Sequence, residues 1–171
     1  MSRYWDDGDD GGIPAELWEA NLARALKGKR GQKALAELRE ALLALPEHAL
    51  ISGALCTVNS GKRREDMGRW VPWPLDDGQP EGVCLVGAYA WHRKVKAGAD
   101  PAEAFDSLPT LDDENHDMYE TAELGVQAGL TFTLAYDLAF KNDEWWASCT
   151  PGERWQKALA WIDEVLARSA A

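Results

Sequence analysis

Apolar residues recur at helical spacing along most of the chain, and this pattern predicts the fold. The first set comprises Leu17, Trp18, Leu22, Ala25 and Leu26. Their spacing of three and four residues predicts a helix from Pro14 to Lys27 that stops at Gly28. The second set comprises Leu35, Leu38, Leu42 and Leu45. It predicts a second helix that Pro46 closes, joined to the first as a helical hairpin or as an angled helix-turn-helix.

The polar and small residues refine this picture. Glu37, Arg39 and Glu40 are expected on the outward face of the second helix. A third helix is predicted within the range 82–97, with one closely packed face made of Val83, Val86, Gly87, Ala90 and Trp91. A short turn of helix is expected over residues 101–108.

The second half of the chain predicts a buried central helix and a well-capped last helix. Asp112 or Asp113 can cap a long helical region whose later part, 124–140, is almost wholly apolar. Gly125 and Gly129 weaken that helix, so a break near them stays open. The run Thr150-Pro151-Gly152-Glu153 has the cap, the proline and the acid of a helix start. It precedes Trp155, Leu159, Ile162 and Leu166 at helical spacing.

We therefore expect a single all-α domain over residues 13–171, with minor strand content allowed and a flexible acidic tail over residues 1–12. Residues 57–82 break the helical pattern with four glycines and three prolines. Such a long irregular segment is unusual in a compact domain. Trp70 and Trp73 in it present an aromatic surface to a partner or fold back over the core.

Composition narrows the class of protein. The chain has 171 residues, 46% of them apolar, with nine tryptophans and a net charge of −11, as in a folded globular domain. No apolar stretch is long enough to cross a bilayer, and no signal segment is recognised at the start, so we expect a cytoplasmic protein. Cys56, Cys84 and Cys149 are widely spaced, which favours reduced thiols over disulfides or a zinc site. Oligomeric state does not follow from the sequence.

The charges are segregated along the chain. Between Lys96 and Lys141 there is no lysine or arginine, whereas acidic residues are frequent there. An acidic surface of this kind does not favour stable binding to duplex DNA. It either keeps the protein soluble or docks on a basic partner surface and steers its approach. The partner-binding candidates are Asp112, Asp113, Glu114, Asp117, Trp70 and Trp73.

A basic turn between the first two helices resembles an anion site. It consists of Gly28, Lys29, Arg30, Gly31, Gln32 and Lys33. Glycine allows close backbone approach, a helix start offers N–H groups, and the lysines and arginine add charge. The ordinary alternative is a helix junction whose basic groups pair with the protein's own acids.

The sequence carries no recognised catalytic motif. Ser60-Gly61-Lys62 lacks the full phosphate-loop spacing, and the metalloprotease, hydrolase and deaminase signatures are missing. The acidic runs lack the ligand spacing of a calcium loop. We therefore expect no catalytic residues, no metal and no cofactor.

Several of these pieces together resemble a family of small uncharacterised proteins encoded by bacteriophages and prophages. The likeness rests on a GKRGQ element at 28–32, the leucine helix ending at 45–47, the run 82–88, and Asn142-Asp143-Glu144 followed by the run 150–155. The chain departs from that family by a longer Pro- and Trp-rich segment before Gly82 and a longer acidic segment before Met118. The resemblance implies a viral accessory role and no catalytic residues.

Three functions follow as hypotheses. The first is a non-enzymatic phage accessory protein that binds and modulates a host or defence protein through its acidic surface, as a counter-defence inhibitor would. The second is a phosphate-ligand or cyclic-nucleotide sponge that uses the basic turn. The third is a metal-dependent hydrolase.

Overall fold

The computed structural model describes residues 14–45, 50–51, 56–57, 82–109 and 118–170. In chain order the elements are α1 Ala15–Lys27, α2 Lys29–Ala44, β1 Cys56–Thr57, β2 Gly82–Val83, α3 Leu85–Lys96, α4 Pro101–Asp106, α5 Met118–Ala128, α6 Phe132–Phe140, a π-helix Lys141–Trp145, and α7 Pro151–Ala170. The acidic tail, most of the segment 57–82 with both of its tryptophans, and Asp112 to Asp117 lie outside the described residues.

The predicted all-α fold is confirmed, and so is its minor strand content. β1 and β2 pair antiparallel, with Cys56 opposite Val83 and Thr57 opposite Gly82. On the other side of β2, the N–H of Ile51 donates to the carbonyl of Val83 over 3.0 Å. This strand pair holds the start of α3 in place.

Helix α3 lies at the centre of the domain and packs against α2, α4, α5 and α6. All seven residues from Leu85 to Trp91 are buried, so this half of the helix is covered on every side rather than on the one face that the spacing predicted. Close packing depends on Gly125 of α5. A Cβ built on it would lie 2.6 Å from Cβ of Ala135 and 3.2 Å from Cγ1 of Val86. Glycine therefore lets α5, α6 and α3 meet at one point.

The break near Gly129 that the sequence left open divides the long helical region into α5 and α6. Gly129 has a φ of 112°, a conformation that favours glycine. The N–H of Leu130 returns to the carbonyl of Gly125 over 2.9 Å, which closes α5. The hydroxyl of Thr131 then accepts from the N–H of Leu134 and caps α6.

The predicted start of the last helix is confirmed in detail. The N–H and hydroxyl of Thr150 donate to the Glu153 carboxylate over 2.8 and 2.9 Å, and the N–H of Glu153 donates back to the hydroxyl over 3.3 Å. This is a reciprocal capping box. Ala158 and Ile162 of α7 are buried in the core. Trp155 Nε1 donates to the carbonyl of Leu42 over 2.8 Å.

Buried polar side chains join Leu50 and Ile51, which precede β1, to the C-terminal part of the chain. The Arg154 guanidinium donates to the carbonyls of Leu50, Trp146 and Cys149. The Asn142 amide donates to the carbonyl of Ile51 over 2.7 Å. Burial lowers the pKa of Arg154. Both side chains therefore bind backbone carbonyls inside the fold.

A second buried polar contact joins α6 to the π-helix. Lys141 Nζ lies 2.8 Å from the Asp137 carboxylate one turn earlier, and both side chains are at least nine-tenths buried. The ammonium also lies 4.6 Å from the ring centre of Trp145 and 5.1 Å from that of Trp161. Aromatic faces therefore share the stabilisation of this buried charge.

Candidate functional site

The basic turn predicted from the sequence is a close junction between α1 and α2. Gly28 is the single residue between the helices. A Cβ on Gly31 would lie 1.8 Å from the carbonyl oxygen of Ala25, so no other residue fits without moving the backbone. The Gln32 amide donates to the carbonyl of Leu26. The carbonyl end of α1 thus lies against the first turn of α2, where the sequence suggested an anion.

The charged residues of this turn divide into two kinds. Arg30 donates to the carbonyl of Gly129 over 3.0 and 3.2 Å and to that of Leu130 over 3.3 Å. It therefore supports the chain between α5 and α6. Lys33 Nζ is 3.9 Å from the carboxylate of Glu37. Lys29 is exposed and makes no hydrogen bond or ion pair with any residue that the structure describes.

The prediction that Glu37 faces outward is wrong, because its carboxylate is enclosed by basic groups from two helices. Its side chain is 7% exposed and lies 3.1 Å from Arg93 Nη1. Lys96 approaches to 3.9 Å and the hydroxyl of Tyr89 to 3.4 Å. A carboxylate can be buried at this point because cations surround it. Burial, reinforced by the negative charge of Glu37, raises the pKa of Tyr89.

Glu40 and Arg39 are less buried, as predicted, but both are paired. Glu40 is exposed and lies 3.0 Å from Lys96 and 3.3 Å from the His92 ring. The hydrogen bond from Lys96, followed by that from His92, lowers the pKa of Glu40. Arg39 Nε lies 2.6 Å from Asp163 of α7. The hydrogen bond to Asp163 raises the pKa of this exposed guanidinium.

The fold thus joins basic groups that the sequence presents separately. Lys33 from the turn and Arg93 and Lys96 from the end of α3 surround one carboxylate. Sequence reasoning did not assign Arg93 or Lys94 to a site. The available signal was a basic run at a helix end, which by itself indicates only a favourable interaction with the helix dipole.

A cleft of about 430 Å³ opens beside this cluster, between α3, the residues after α4, and α5. Its polar lining consists of Arg93, Lys94, Ser107 and Gln127. Lys94 Nζ donates to the Ser107 hydroxyl over 2.8 Å, and that hydroxyl donates to the carbonyl of Ala104 over 2.8 Å. The remaining lining is apolar and includes Ala90, Leu108 and Leu124. We call this feature the α3–α5 cleft.

The outer face of α5 has a different character. Tyr119 is 46% exposed and Val126 41% exposed, and Glu120 and Glu123 between them are exposed as well. The Tyr119 ring packs against Phe132 and Tyr136 at centre distances of 5.3 and 5.6 Å, so its orientation is set by the core. The candidates Asp112, Asp113, Glu114 and Asp117 directly precede this helix in the chain.

Three other features bear on function. In the part of the chain that the structure describes, no three His, Cys, Asp or Glu side chains lie close enough together to hold a metal ion. Cys84 is buried and caps α3, and Cys149 lies 3.0 Å from Lys157 Nζ. None of the helices described has the length and apolarity required to cross a bilayer.

No family model, curated protein or solved structure matches this chain.

Proposed function

We propose that this chain is a non-enzymatic accessory protein of phage or prophage type that binds a basic surface on a host or defence protein. The outer face of α5 carries the proposal. Tyr119, Glu120, Glu123 and Val126 are exposed on it, and the four acidic candidates precede it in sequence. An aromatic side chain with acidic neighbours suits a protein partner better than a small molecule.

Tyr119 has the properties of an interface anchor. Its ring packs against Phe132 and Tyr136 while the residue as a whole stays 46% exposed, so little conformational entropy is lost when a partner covers it. Aromatic residues of this kind carry a large share of binding energy at many interfaces. We therefore propose that Tyr119 mainly sets the affinity and the lifetime of the complex.

The carboxylates serve a different purpose. Glu120 and Glu123 lie within an interval without lysine or arginine, in a chain of net charge −11. The negative electrostatic potential of these carboxylates attracts a basic surface before contact and accelerates association. We propose that Glu120 and Glu123 mainly set the association rate and the specificity for the partner.

The basic turn supports the alternative sponge function less well. Arg30 and Gln32 are engaged with backbone carbonyls, and Gly31 is required by the close approach of α1. These contacts supply the ordinary structural explanation for three of its six residues. The metal-dependent hydrolase has no group of described residues in its favour.

The experiment begins with capture of partners from infected cells by the tagged full-length protein, followed by binding kinetics with the purified partner. We expect Tyr119→Ala to increase the dissociation rate about tenfold or more. Glu120→Gln with Glu123→Gln should mainly slow association, and added salt should reproduce that effect in the wild type.

Glu16→Gln with Glu19→Gln is the matched control. Both residues are exposed on α1, and the change in net charge is the same. If association slows equally in both double variants, the net charge of the protein explains the effect and the position of the carboxylates does not. A partner that tolerates Tyr119→Ala without loss would exclude the face of α5 as its binding surface.

A further inference from the structure

The α3–α5 cleft has the chemistry of a small-molecule site, independently of the face of α5. We infer that it binds a phosphomonoester whose body packs against an apolar surface, of the size of a nucleoside monophosphate. The cleft joins two cations, two neutral polar side chains and an apolar floor in about 430 Å³. This combination and size are typical of small-ligand sites.

Arg93 is placed to receive the phosphate. Its hydrogen bonds to described residues all run from Nη1 to Glu37, so Nε and Nη2 retain donors for another acceptor. The buried carboxylate of Glu37 holds the guanidinium in one position. Arginine binds phosphate oxygens through pairs of parallel N–H groups, and a guanidinium that is already fixed loses less entropy on binding.

Lys94 is the second cation of the cleft. Its ammonium is held 2.8 Å from the Ser107 hydroxyl, which also lines the cleft. The ammonium has further donors beyond that single bond. Arg93 and Lys94 both line the cleft, so two positively charged side chains border the same space. Lys33 and Lys96 each lie 3.9 Å from the Glu37 carboxylate and so reduce its repulsion of a phosphate.

The rest of the lining selects for the body of the ligand. Ala90, Leu108 and Leu124 offer an apolar surface, and the Gln127 amide provides both a donor and an acceptor at its edge. A bare phosphate would leave most of the volume unfilled, and an uncharged nucleoside would leave both cations without an acceptor. The cleft therefore suits a ligand that carries both parts.

Isothermal titration calorimetry of the full-length protein with AMP, adenosine and inorganic phosphate tests the inference. We expect AMP to bind about tenfold or more tightly than either fragment, because it alone engages the cations and the apolar floor. Equal affinity for AMP and inorganic phosphate, or for AMP and adenosine, would overturn the proposal, as would no AMP binding at millimolar concentration.

Two charge reversals locate the site. Lys94→Glu should weaken AMP binding at least roughly tenfold, whereas Lys29→Glu should change it less than about twofold. Both side chains are exposed lysines, and the change in net charge is identical. Equal losses would mean diffuse attraction to positive charge, and loss in Lys29→Glu alone would favour the α1–α2 turn. Either result contradicts the cleft.

A third variant blocks the cleft without changing charge. Ala97 is exposed and lines the rim, so Ala97→Trp should abolish AMP binding while circular dichroism and the melting temperature stay close to wild type. Unchanged affinity in this variant would exclude the cleft. Tyr119→Ala, which addresses the partner-binding face, should leave AMP binding intact, so the two proposals can fail separately.

Discussion

At the scale of single residues, Gly31 decides how closely α1 and α2 can meet. A Cβ there would overlap the carbonyl oxygen of Ala25 at 1.8 Å. We expect Gly31→Ala to destabilise the protein by ~1–3 kcal/mol, because the two helices must separate. Urea denaturation followed by circular dichroism measures the change.

Gly152→Ala is the control for that substitution. Gly152 lies in the first turn of α7, and nothing within 4 Å would meet its Cβ. Alanine restricts the unfolded chain and favours helix, so we expect unchanged or increased stability, by up to about 1 kcal/mol. Equal destabilisation by both substitutions would contradict the packing argument for Gly31.

Glu153 gives the protein a defined pH dependence. Hydrogen bonds from the N–H and then the hydroxyl of Thr150 lower its pKa in the folded state. A carboxyl with a lowered pKa stabilises the fold above its unfolded pKa of about 4.3, and this contribution is lost as the pH falls through the folded pKa.

We therefore expect Glu153→Gln to be less stable than the wild type at pH 7 and to converge with it under acidic conditions. Denaturation between pH 7 and pH 2.5 in both proteins measures this. A stability difference that stays constant with pH would show that the charge of Glu153 does not contribute.

At the scale of elements, Arg30 tests whether the basic turn is structural. Its three hydrogen bonds connect the start of α2 to the carbonyls between α5 and α6. We expect Arg30→Ala to cost about 1–2 kcal/mol of unfolding free energy, since these carbonyls lose a charged donor. Lys29→Ala, one residue earlier and without such bonds to described residues, should change stability by less than ~0.5 kcal/mol.

Calorimetric melting of both variants makes this comparison. If Arg30→Ala melts at the same temperature as the wild type, the hydrogen bonds to the α5–α6 connection make no net contribution to stability. The turn would then regain its place as the first candidate for an anion site.

At the scale of the whole molecule, a single core unites the helices. Leu38 of α2 is fully buried, whereas Leu43 on the same helix is 54% exposed. We expect Leu38→Ala to cost ~2–5 kcal/mol, because it opens a cavity among residues from several helices. Leu43→Ala should cost less than about 1 kcal/mol, since its side chain already contacts water.

Chemical denaturation monitored both by far-ultraviolet circular dichroism and by tryptophan fluorescence tests whether that core is shared. Coincident transitions in the Leu38→Ala variant would support one cooperative unit. Separate transitions would contradict the single domain.

The sequence by itself determined most of the helices and several of their ends. The leucine spacing of α2, the Thr150–Glu153 capping box and the glycine between α1 and α2 were all recognised, because each depends on residues within one or two turns of helix. For the same reason it identified the basic turn as a special feature without deciding what its charges contact.

Only the tertiary structure decided where the charges meet. Glu37 was expected to face water, yet it lies beneath Arg93, which is 56 residues away in the chain. Arg30 likewise bonds a carbonyl 99 residues away. The α3–α5 cleft arises from the crossing of helices, and Gly125 sets how closely they approach. Helical periodicity reports which face of a helix is apolar, but it carries no information on which helices cross or on which charges then become neighbours.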